Sequence, residues 1–383
     1  MNLSGSNPWE TPPPPYSWRP TTRQQATTNQ WTPPPPAFTI SDRTKTSTSD
    51  QSHRSALKRI AEETLNAIHV GGYPHKGVIR DLTEAVKEAK SKTVYYSPSD
   101  NTRWASSTKP NRSQSSPTHI SILHITTLDA ARLLDNVYKS NPSDDGKTGI
   151  LNFASPAKPG GDFMNGVESQ ESSIARSSTL YPALKADGVK KFYKLYTRGS
   201  AYYSHAMIYS PNIGIFRDDD GNWTYPFLVD VLSCSAVNAS EVRKTKDVIT
   251  SGQDVEIEKE MSERMGRILY LFECKGVRNI ILGAFGTGAF GNNVETVARI
   301  WAHLLLVPEA RFKDSFDRVI FATGEETFAD FHSAFNAWGQ PWATGSRQSS
   351  NPSSDMLGSA LDHQQPRSSF CFGMVHQPGL DRP

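Results

Sequence analysis

Two carboxylates that follow a glycine corner are the residues best placed to do chemistry. Asp162 directly follows Gly160 and Gly161, and Glu171 lies in a polar run that leads into a predicted helix. Glycines let the backbone approach a ligand closely. Two carboxyl groups can also break a glycosidic bond, one protonating the leaving oxygen while the other activates water. The alternative for each acid is a solvated side chain or a helix N-cap.

The protonation state of Glu171 decides whether it could act as an acid. A helix N-terminus favours the carboxylate anion and lowers its pKa, whereas a bound diphosphate would raise it. A general acid requires the second influence to dominate. The sequence leaves this direction open.

A glycine-rich loop at 283–291 forms a second candidate site. It holds four glycines between a predicted strand and a predicted helix. Backbone N–H groups at such a junction bind anions, so we predict phosphate binding there. Gly286, Gly288 and Gly291 also match the dinucleotide fingerprint, with Glu325 as a ribose-binding acid. A Rossmann domain needs more strand–helix units after that loop, so a nicotinamide-dinucleotide oxidoreductase is the minority interpretation.

The pattern around these loops predicts alternating strands and helices. An unbroken apolar strand at 149–154 precedes the first corner and carries Asn152 near its end, where open α/β sheets bind ligands. The alternation favours one α/β domain with a largely parallel sheet. The other predicted strands are 119–125, 206–209, 227–232, 277–282 and 318–322. The predicted helices are 55–70, 82–89, 128–138, 173–180, 255–274, 294–306 and 327–338.

Composition narrows the class of protein. The 383 residues carry a net charge of +2, so a nucleotide would have to be held by local groups. The sequence has no secretory signal and no run of roughly 18 apolar residues that could span a membrane. Its three cysteines lie far apart, and its ten histidines lack metal-ligand spacing. We expect a monomeric intracellular protein, cytoplasmic or nuclear, without a structural metal or a cofactor.

Both ends of the chain are rich in polar residues and proline. We predict that residues 1–53 and 340–383 are disordered, since they cannot bury enough apolar surface to offset the entropy of ordering. The Pro13–Tyr16 segment matches the PPxY pattern that WW domains bind as a polyproline II segment. The simpler interpretation, a proline-rich tail without such a partner, is favoured.

Taken together, these residues and several further blocks resemble the microbial-type poly(ADP-ribose) glycohydrolases, a branch of the macrodomain superfamily. The resemblance implies a three-layer α/β/α macrodomain over 54–339, with a mixed, largely parallel sheet and an N-terminal helical region at 54–117. It also implies an ADP-ribose site. The matching blocks, in order, are 60–65, 151–155, 175–181, 207–211, 216–219 and 282–292.

The catalytic signature of that family is three glycines followed, several residues later, by Gln-Glu-Glu. Here the two parts read Gly160-Gly161-Asp162 and Gln170-Glu171-Ser172. Glu171 matches the first glutamate, and Ser172 replaces the second, which the family uses as its principal acid. The resemblance therefore implies an ADP-ribosyl hydrolase that cleaves the ribose 1″ bond of mono- or poly-ADP-ribosylated substrates through Glu171, with Asp162 assisting. The alternative is a module that binds ADP-ribose without cleaving it.

The binding residues follow from the same resemblance. It implies that residues 286–289 hold the diphosphate and that Phe290 lies against the distal ribose. The expected partner is ADP-ribose or an ADP-ribosylated protein. The predicted binding set is Asn152, Ser155, Gly160, Gly161, Gln170, Gly286, Thr287, Gly288, Ala289, Phe290 and Gly291.

Overall fold

The computed structural model describes residues 48–108, 117–140, 146–196, 199–244 and 251–338. The remaining parts of the two predicted tails, including the Pro13–Tyr16 motif, lie outside the described residues. The strands are β1 (Gly72–His75), β2 (Val78–Asp81), β3 (Val94–Tyr96), β4 (His119–Leu123), β5 (Lys147–Phe153), β6 (Met207–Arg217), β7 (Trp223–Cys234), β8 (Val277–Leu282) and β9 (Arg318–Ala322). The helices are α1 (Thr48–Val70), α2 (Thr83–Lys92), α3 (Thr127–Ser140), α4 (Gln170–Ser177), α5 (Leu180–Leu184), α6 (Lys190–Lys194), α7 (Ala239–Lys244), α8 (Ser251–Cys274), α9 (Val294–Leu305) and α10 (Glu325–Asn336).

A mixed sheet of seven strands forms the centre of the described chain. Its order is β3-β6-β7-β5-β8-β9-β4. The pairs from β7 through β5, β8 and β9 to β4 are parallel, whereas β3–β6 and β6–β7 are antiparallel. The predicted α/β class with a largely parallel sheet is therefore confirmed.

The sheet is covered by helices on both faces because its strands are apolar on both faces. Ile150 of β5 packs with Leu134 of α3 and Ile174 of α4 in one buried cluster. The next residue, Leu151, belongs to a second cluster with Phe272 of α8 and Trp301 of α9. Successive side chains of a strand point to opposite faces, which explains this alternation. The result is the expected α/β/α arrangement.

The β6–β7 hairpin is longer than the sequence pattern predicts. We expected separate strands at 206–209 and 227–232, but β6 continues through Pro211 and Asn212 to the end of the hairpin. The pairing register shifts between Ser210 and Ile213, and Asn212 has a φ of 56°. A bulge of this kind interrupts the alternation of side chains and therefore hides the strand.

Other elements were missed or divided differently. The β1–β2 hairpin and the short helices α5, α6 and α7 were not predicted. The predicted helix at 173–180 ends at Ser177, because Ser178 forms an extended bridge to Ile215 before α5 begins. No helix in the described ranges is both long enough and apolar enough to cross a membrane.

Helix α1 begins at Thr48, inside the segment predicted as a tail, and it supports the candidate acids. Arg54 Nε donates to the carbonyl oxygen of Asn165, at 2.9 Å. Thr64 Oγ1 donates to the carbonyl oxygen of Arg176 in α4, at 2.6 Å. Both contacts hold the segment that runs from the glycine corner into α4.

Candidate active site

The candidate residues meet at the carboxyl edge of the sheet. There β5 lies in parallel between β7 and β8, so the loops that follow these strands leave from the same edge. Ser235 Oγ, after β7, donates to the carbonyl oxygen of Ala154, after β5, at 2.8 Å. A Cβ added to Gly286, after β8, would lie 2.4 Å from the Cβ of Ala236. The loop after β7 thus joins the predicted catalytic loop to the glycine loop.

The N-terminus of α4 is fixed to the end of β5 by Gln170. Its Oε1 accepts from the backbone N–H of Phe153 at 2.9 Å, and its Nε2 donates to the carbonyl oxygen of Leu151 at 2.8 Å. Ser169 caps the helix, since its Oγ accepts from the backbone N–H of Ser172 at 3.2 Å. The Gln170 amide therefore anchors the helix that carries Glu171. Its predicted role in ligand binding stays a prediction.

Glu171 lies in the first turn of α4 and is only 2% exposed. Its Oε2 accepts from the backbone N–H of Ser155 at 2.7 Å. Asn152 Nδ2 approaches Oε1 at 3.4 Å and donates to Ser233 Oγ at 2.9 Å. The structure therefore brings together three of the predicted site residues, Asn152, Ser155 and Glu171.

Burial raises the pKa of Glu171 to about 8, because the charged form loses its contact with water. Hydrogen bonds from the backbone of Ser155, the side chain of Asn152 and the backbone of Gly160 act in the opposite direction and are weaker. Desolvation is neither of the two influences weighed from the sequence. It makes the carboxyl group protonated at neutral pH, which is the state that a general acid needs.

The Gly160–Gly161 corner covers this carboxyl group. Gly161 has a φ of 60°, a left-handed conformation that glycine adopts without strain. A Cβ added to Gly161 would lie 3.3 Å from both Glu171 Oε2 and Ser172 Oγ. Within the chain, the group that this corner approaches is the acid itself, and the predicted close approach to a ligand stays a prediction.

Asp162 is oriented differently from Glu171. Lys158 Nζ lies 2.9 Å from each of its carboxylate oxygens, and Asn165 Nδ2 donates to Oδ1 at 3.4 Å. Its side chain is 39% exposed. Among the described residues, no hydrogen bond joins Asp162 to Glu171. The two acids are neighbours in the loop, but each has its own partners.

Ser172 stands next to Glu171 and is fully buried. Its Oγ accepts from Ser169 Oγ at 2.9 Å. The position that holds the second glutamate of the signature therefore carries a neutral hydroxyl group, within a small network at the helix N-terminus. This leaves Glu171 as the buried carboxyl group of the motif.

The glycine loop presents free backbone donors at the same edge of the sheet. Within the described chain, the N–H groups of Gly288, Ala289 and Phe290 have no hydrogen-bond partner. A Cβ added to Gly288 would meet nothing within 4 Å. Asn292 holds the loop in shape, because its Nδ2 donates to the carbonyl oxygens of Val237 and Gly286 at 2.8 and 2.9 Å. Unpaired N–H groups facing open space suit an anion such as phosphate.

An aromatic pair lies beside this loop. The ring of Phe290 is 5.7 Å from that of Tyr203, and the Tyr203 hydroxyl accepts from Asn238 Nδ2 at 3.2 Å. Tyr203 has a φ of 53°, which is unusual for a bulky residue. Sequence reasoning missed Tyr203, because nothing in the local pattern marks this conformation.

Ser233 and Tyr193 were also missed. Ser233 contacts Asn152 only because β5 and β7 pair in that register. The Tyr193 hydroxyl is buried and has no hydrogen-bond partner within the described chain. Burial raises its pKa, and the nearby Glu171 carboxyl group raises it further. Only the tertiary structure could have shown either neighbour.

Helices on both faces of a mixed sheet, with a glycine loop of unpaired N–H groups and a buried acid at its carboxyl edge, define a macrodomain-like α/β protein. The family model described as "Microbial-type PARG, catalytic domain", PARG being poly(ADP-ribose) glycohydrolase, matches residues 61–218. A search of curated proteins gave no match.

Solved structures extend the comparison to most of the chain. The poly(ADP-ribose) glycohydrolase of Thermomonospora curvata is 32% identical, with a TM-score of 0.65, and the match covers 75% of this chain and 99% of that one. The same enzyme bound to the inhibitor ADP-HPD matches at 32% identity and a TM-score of 0.63, covering 75% and 99% of the two chains. The Deinococcus radiodurans enzyme in complex with ADP-ribose is 27% identical, with a TM-score of 0.58 and coverage of 67% and 98%. This chain belongs to the microbial-type poly(ADP-ribose) glycohydrolase family.

Proposed function

We propose that the protein is an ADP-ribose glycohydrolase in which Glu171 is the general acid at the ribose 1″ bond. The observation that carries this proposal is the buried Glu171 carboxyl group, whose pKa of about 8 keeps it protonated at neutral pH. The related structures from Thermomonospora curvata and Deinococcus radiodurans hold the inhibitor ADP-HPD and ADP-ribose. Family membership and the chemistry of the acid therefore support the same reaction.

The hydrogen bonds of Glu171 indicate which of its two oxygens carries the proton that the reaction needs. Because Glu171 Oε2 accepts a short 2.7 Å bond from Ser155 N–H and Oε1 has the long 3.4 Å contact from Asn152 Nδ2, the proton is best carried on Oε1. In the reaction this proton passes to the glycosidic oxygen as the bond to C1″ breaks, and water adds to the oxocarbenium-like centre. The free N–H groups of 288–290 would hold the diphosphate meanwhile, with Phe290 against the distal ribose.

Asp162 is the proposed base or water-positioning group. Its anionic carboxylate is held by Lys158 and is accessible to water, being 39% exposed. Activating the nucleophile requires the Lys158–Asp162 pair to open or a water molecule to bind beside it. An acid that is buried and a second carboxylate that is partly exposed to solvent match the two different tasks of glycosidic hydrolysis.

A second candidate function is an ADP-ribose-binding module without hydrolase activity. The observation in its favour is Ser172, a buried hydroxyl group at the second acidic position of the family signature. The loss of that carboxyl group would leave binding intact, because the glycine loop and Phe290 lie on other elements.

The deciding experiment incubates the full-length protein with mono- and poly-ADP-ribosylated proteins and measures free ADP-ribose. Release from either substrate supports the hydrolase and also resolves its preference for chain length. Calorimetric binding of ADP-ribose without any release favours the binding module. The absence of both release and binding would reject both functions.

A further inference from the structure

A basic pocket lies away from the candidate acids, between the β1–β2 hairpin, helix α3 and the start of β7. Its volume is about 350 Å³. Three cationic side chains line it, together with a single carboxylate. The lining residues that matter here are His75, Lys76, Arg132, Asp135, Lys139 and Tyr225.

The cations are only partly neutralised by protein groups. Lys139 pairs with Asp135 at 2.6 Å. Arg132 Nη2 makes two long contacts, 3.4 Å to the carbonyl oxygen of Arg217 and 3.5 Å to Thr224 Oγ1. Within the described chain, neither Arg132 nor Lys76 has a carboxylate partner. A half-buried guanidinium with such weak contacts can offer two parallel donors to a phosphate.

His75 adds a hydrogen-bonding atom of a different kind. Its Nε2 is buried and has no partner within the described residues, and its ring packs edge-on against Tyr225 at 4.9 Å. Burial lowers the pKa of His75, and the charges of Lys76 and Arg80 lower it further, so the ring is neutral. The other ring nitrogen forms a hydrogen bond with the backbone of Trp223. Nε2 is then an acceptor that lies just beneath the accessible surface of the pocket wall.

Helix α3 connects this pocket to the candidate active site. At its N-terminus, Thr127 Oγ1 accepts from Gln170 Nε2 at 3.3 Å, directly beside Glu171 in the chain. At 1.5 Å per helical residue, Arg132 lies about 8 Å and Lys139 about 18 Å further along the axis. The pocket therefore lies further along the same helix, α3, whose N-terminus contacts the candidate active site.

We propose that this pocket is a second binding site, which takes the phosphate and ribose of a neighbouring unit in an ADP-ribose chain. The cations bind the phosphate, and a ribose hydroxyl group donates to His75 Nε2 once the pocket wall opens to expose that atom. This inference rests on the proposed function, because the terminal unit of the chain would lie at Glu171. It gives the protein a preference for chains over single ADP-ribose groups.

The test compares a variant that lacks two positive charges of the pocket with a control variant that lacks two positive charges elsewhere on the surface. Lys76→Asn/Arg132→Gln is the pocket variant, and asparagine suits Lys76, which has a φ of 50°. Lys87→Asn/Lys190→Gln is the matched control, since both lysines are exposed and paired on α2 and α6. Both are made on a Glu171→Gln background, so that oligomers stay intact, and affinities for ADP-ribose and for short ADP-ribose oligomers are measured by calorimetry.

We expect the pocket variant to bind oligomers about ten-fold more weakly than the control, as the loss of charge-assisted hydrogen bonds predicts, with little change for monomeric ADP-ribose. Ribose 5-phosphate should compete with oligomers in the protein with an intact pocket and not in the pocket variant.

Equal oligomer affinities in pocket and control variants would overturn the proposal. An equal loss for monomer and oligomer would also overturn it, because the pocket would then not be a separate site. The same loss for an oligonucleotide with the same number of phosphates would assign the pocket to nucleic acid instead. Because these are binding measurements, a protein that shows the predicted pocket effect but no hydrolysis would refute the proposed reaction alone.

Discussion

At the scale of single residues, the proposed chemistry depends on a carboxyl group that keeps its proton. Glu171 is almost completely buried, and desolvation outweighs three hydrogen bonds that favour its anion. Ser172 contributes a hydroxyl group next to Glu171 in the chain. The partly exposed Asp162 pairs with Lys158 instead of with Glu171. The same short segment thus contains one buried, protonated acid and one partly exposed carboxylate.

The first prediction concerns the dependence of activity on pH. A general acid must be protonated, so kcat/KM should fall as the pH rises through the pKa of Glu171, about 8. Initial rates of ADP-ribose release between pH 6 and pH 9.5 measure this limb. If kcat/KM instead fell about ten-fold per pH unit from pH 6 onward, without a plateau below pH 8, Glu171 would have the ordinary glutamate pKa of about 4.3 and be an anion at neutral pH.

A second prediction concerns the altered position of the motif. Ser172→Glu should increase hydrolysis of ADP-ribose chains, because it places a carboxyl group where the family signature has one. The measurement is the rate of release from poly-ADP-ribosylated protein, with Ser173→Glu as a control one position further along α4. An unchanged or lower rate would show that position 172 no longer faces the bond to be cleaved.

At the scale of elements, a helix start and two loops position the candidate reacting groups. Gln170 joins α4 to β5, the Gly160–Gly161 corner covers the acid, and Asn292 holds the glycine loop. The elements themselves followed well from periodicity: β5, β8, β9 and α9 lie within a few residues of the predicted bounds. The strands contain short apolar runs, and the amphipathic helix α9 begins after its N-cap Asn293.

What the sequence could not show depends on contacts between distant segments. The raised pKa of Glu171 arises from burial, which no local pattern records. The contact between Ser233 and Asn152 requires the register of β5 against β7. The bulge in β6 hid the β6–β7 hairpin from the sequence pattern. The sequence also does not indicate that Lys158, rather than another cation, pairs with Asp162. The candidate residues were therefore predictable, but their orientation was not.

The third prediction tests the glycine corner. Gly161→Ala forces a side chain into a left-handed backbone conformation and places a Cβ 3.3 Å from the Glu171 carboxyl oxygen. We expect a loss of about 1–2 kcal/mol in the free energy of unfolding. We also expect a fall in kcat that unfolding cannot explain, because a protein destabilised by this amount stays folded under the assay conditions. Urea denaturation and steady-state kinetics measure the two effects. Gly188→Ala, where a Cβ meets nothing within 4 Å, is the control.

At the scale of the whole molecule, burying an acid costs stability. Since the pKa of Glu171 is raised from 4.5 to about 8 by folding, the native state holds this proton more tightly than the unfolded state does. The contribution is most favourable at low pH and is lost progressively as the pH rises between these two values.

The fourth prediction follows from that linkage. The free energy of unfolding of the wild-type protein should decrease between pH 5 and pH 8 relative to Glu171→Gln, by an amount of the order of a few kcal/mol. Denaturant titrations of the two proteins at each pH give the difference. Parallel pH profiles for the two proteins would mean that the carboxyl group is not desolvated in the native state.

The fifth prediction tests the central claim, that Glu171 is the acid of an ADP-ribose glycohydrolase. The measurement is the rate of ADP-ribose release by wild type, Glu171→Gln and the matched control Glu168→Gln, whose carboxylate is 75% exposed in the same segment. Loss of a general acid predicts a fall of about 10²- to 10⁴-fold for Glu171→Gln, with ADP-ribose affinity retained and Glu168→Gln close to wild type. Release by Glu171→Gln at the wild-type rate would contradict the assignment.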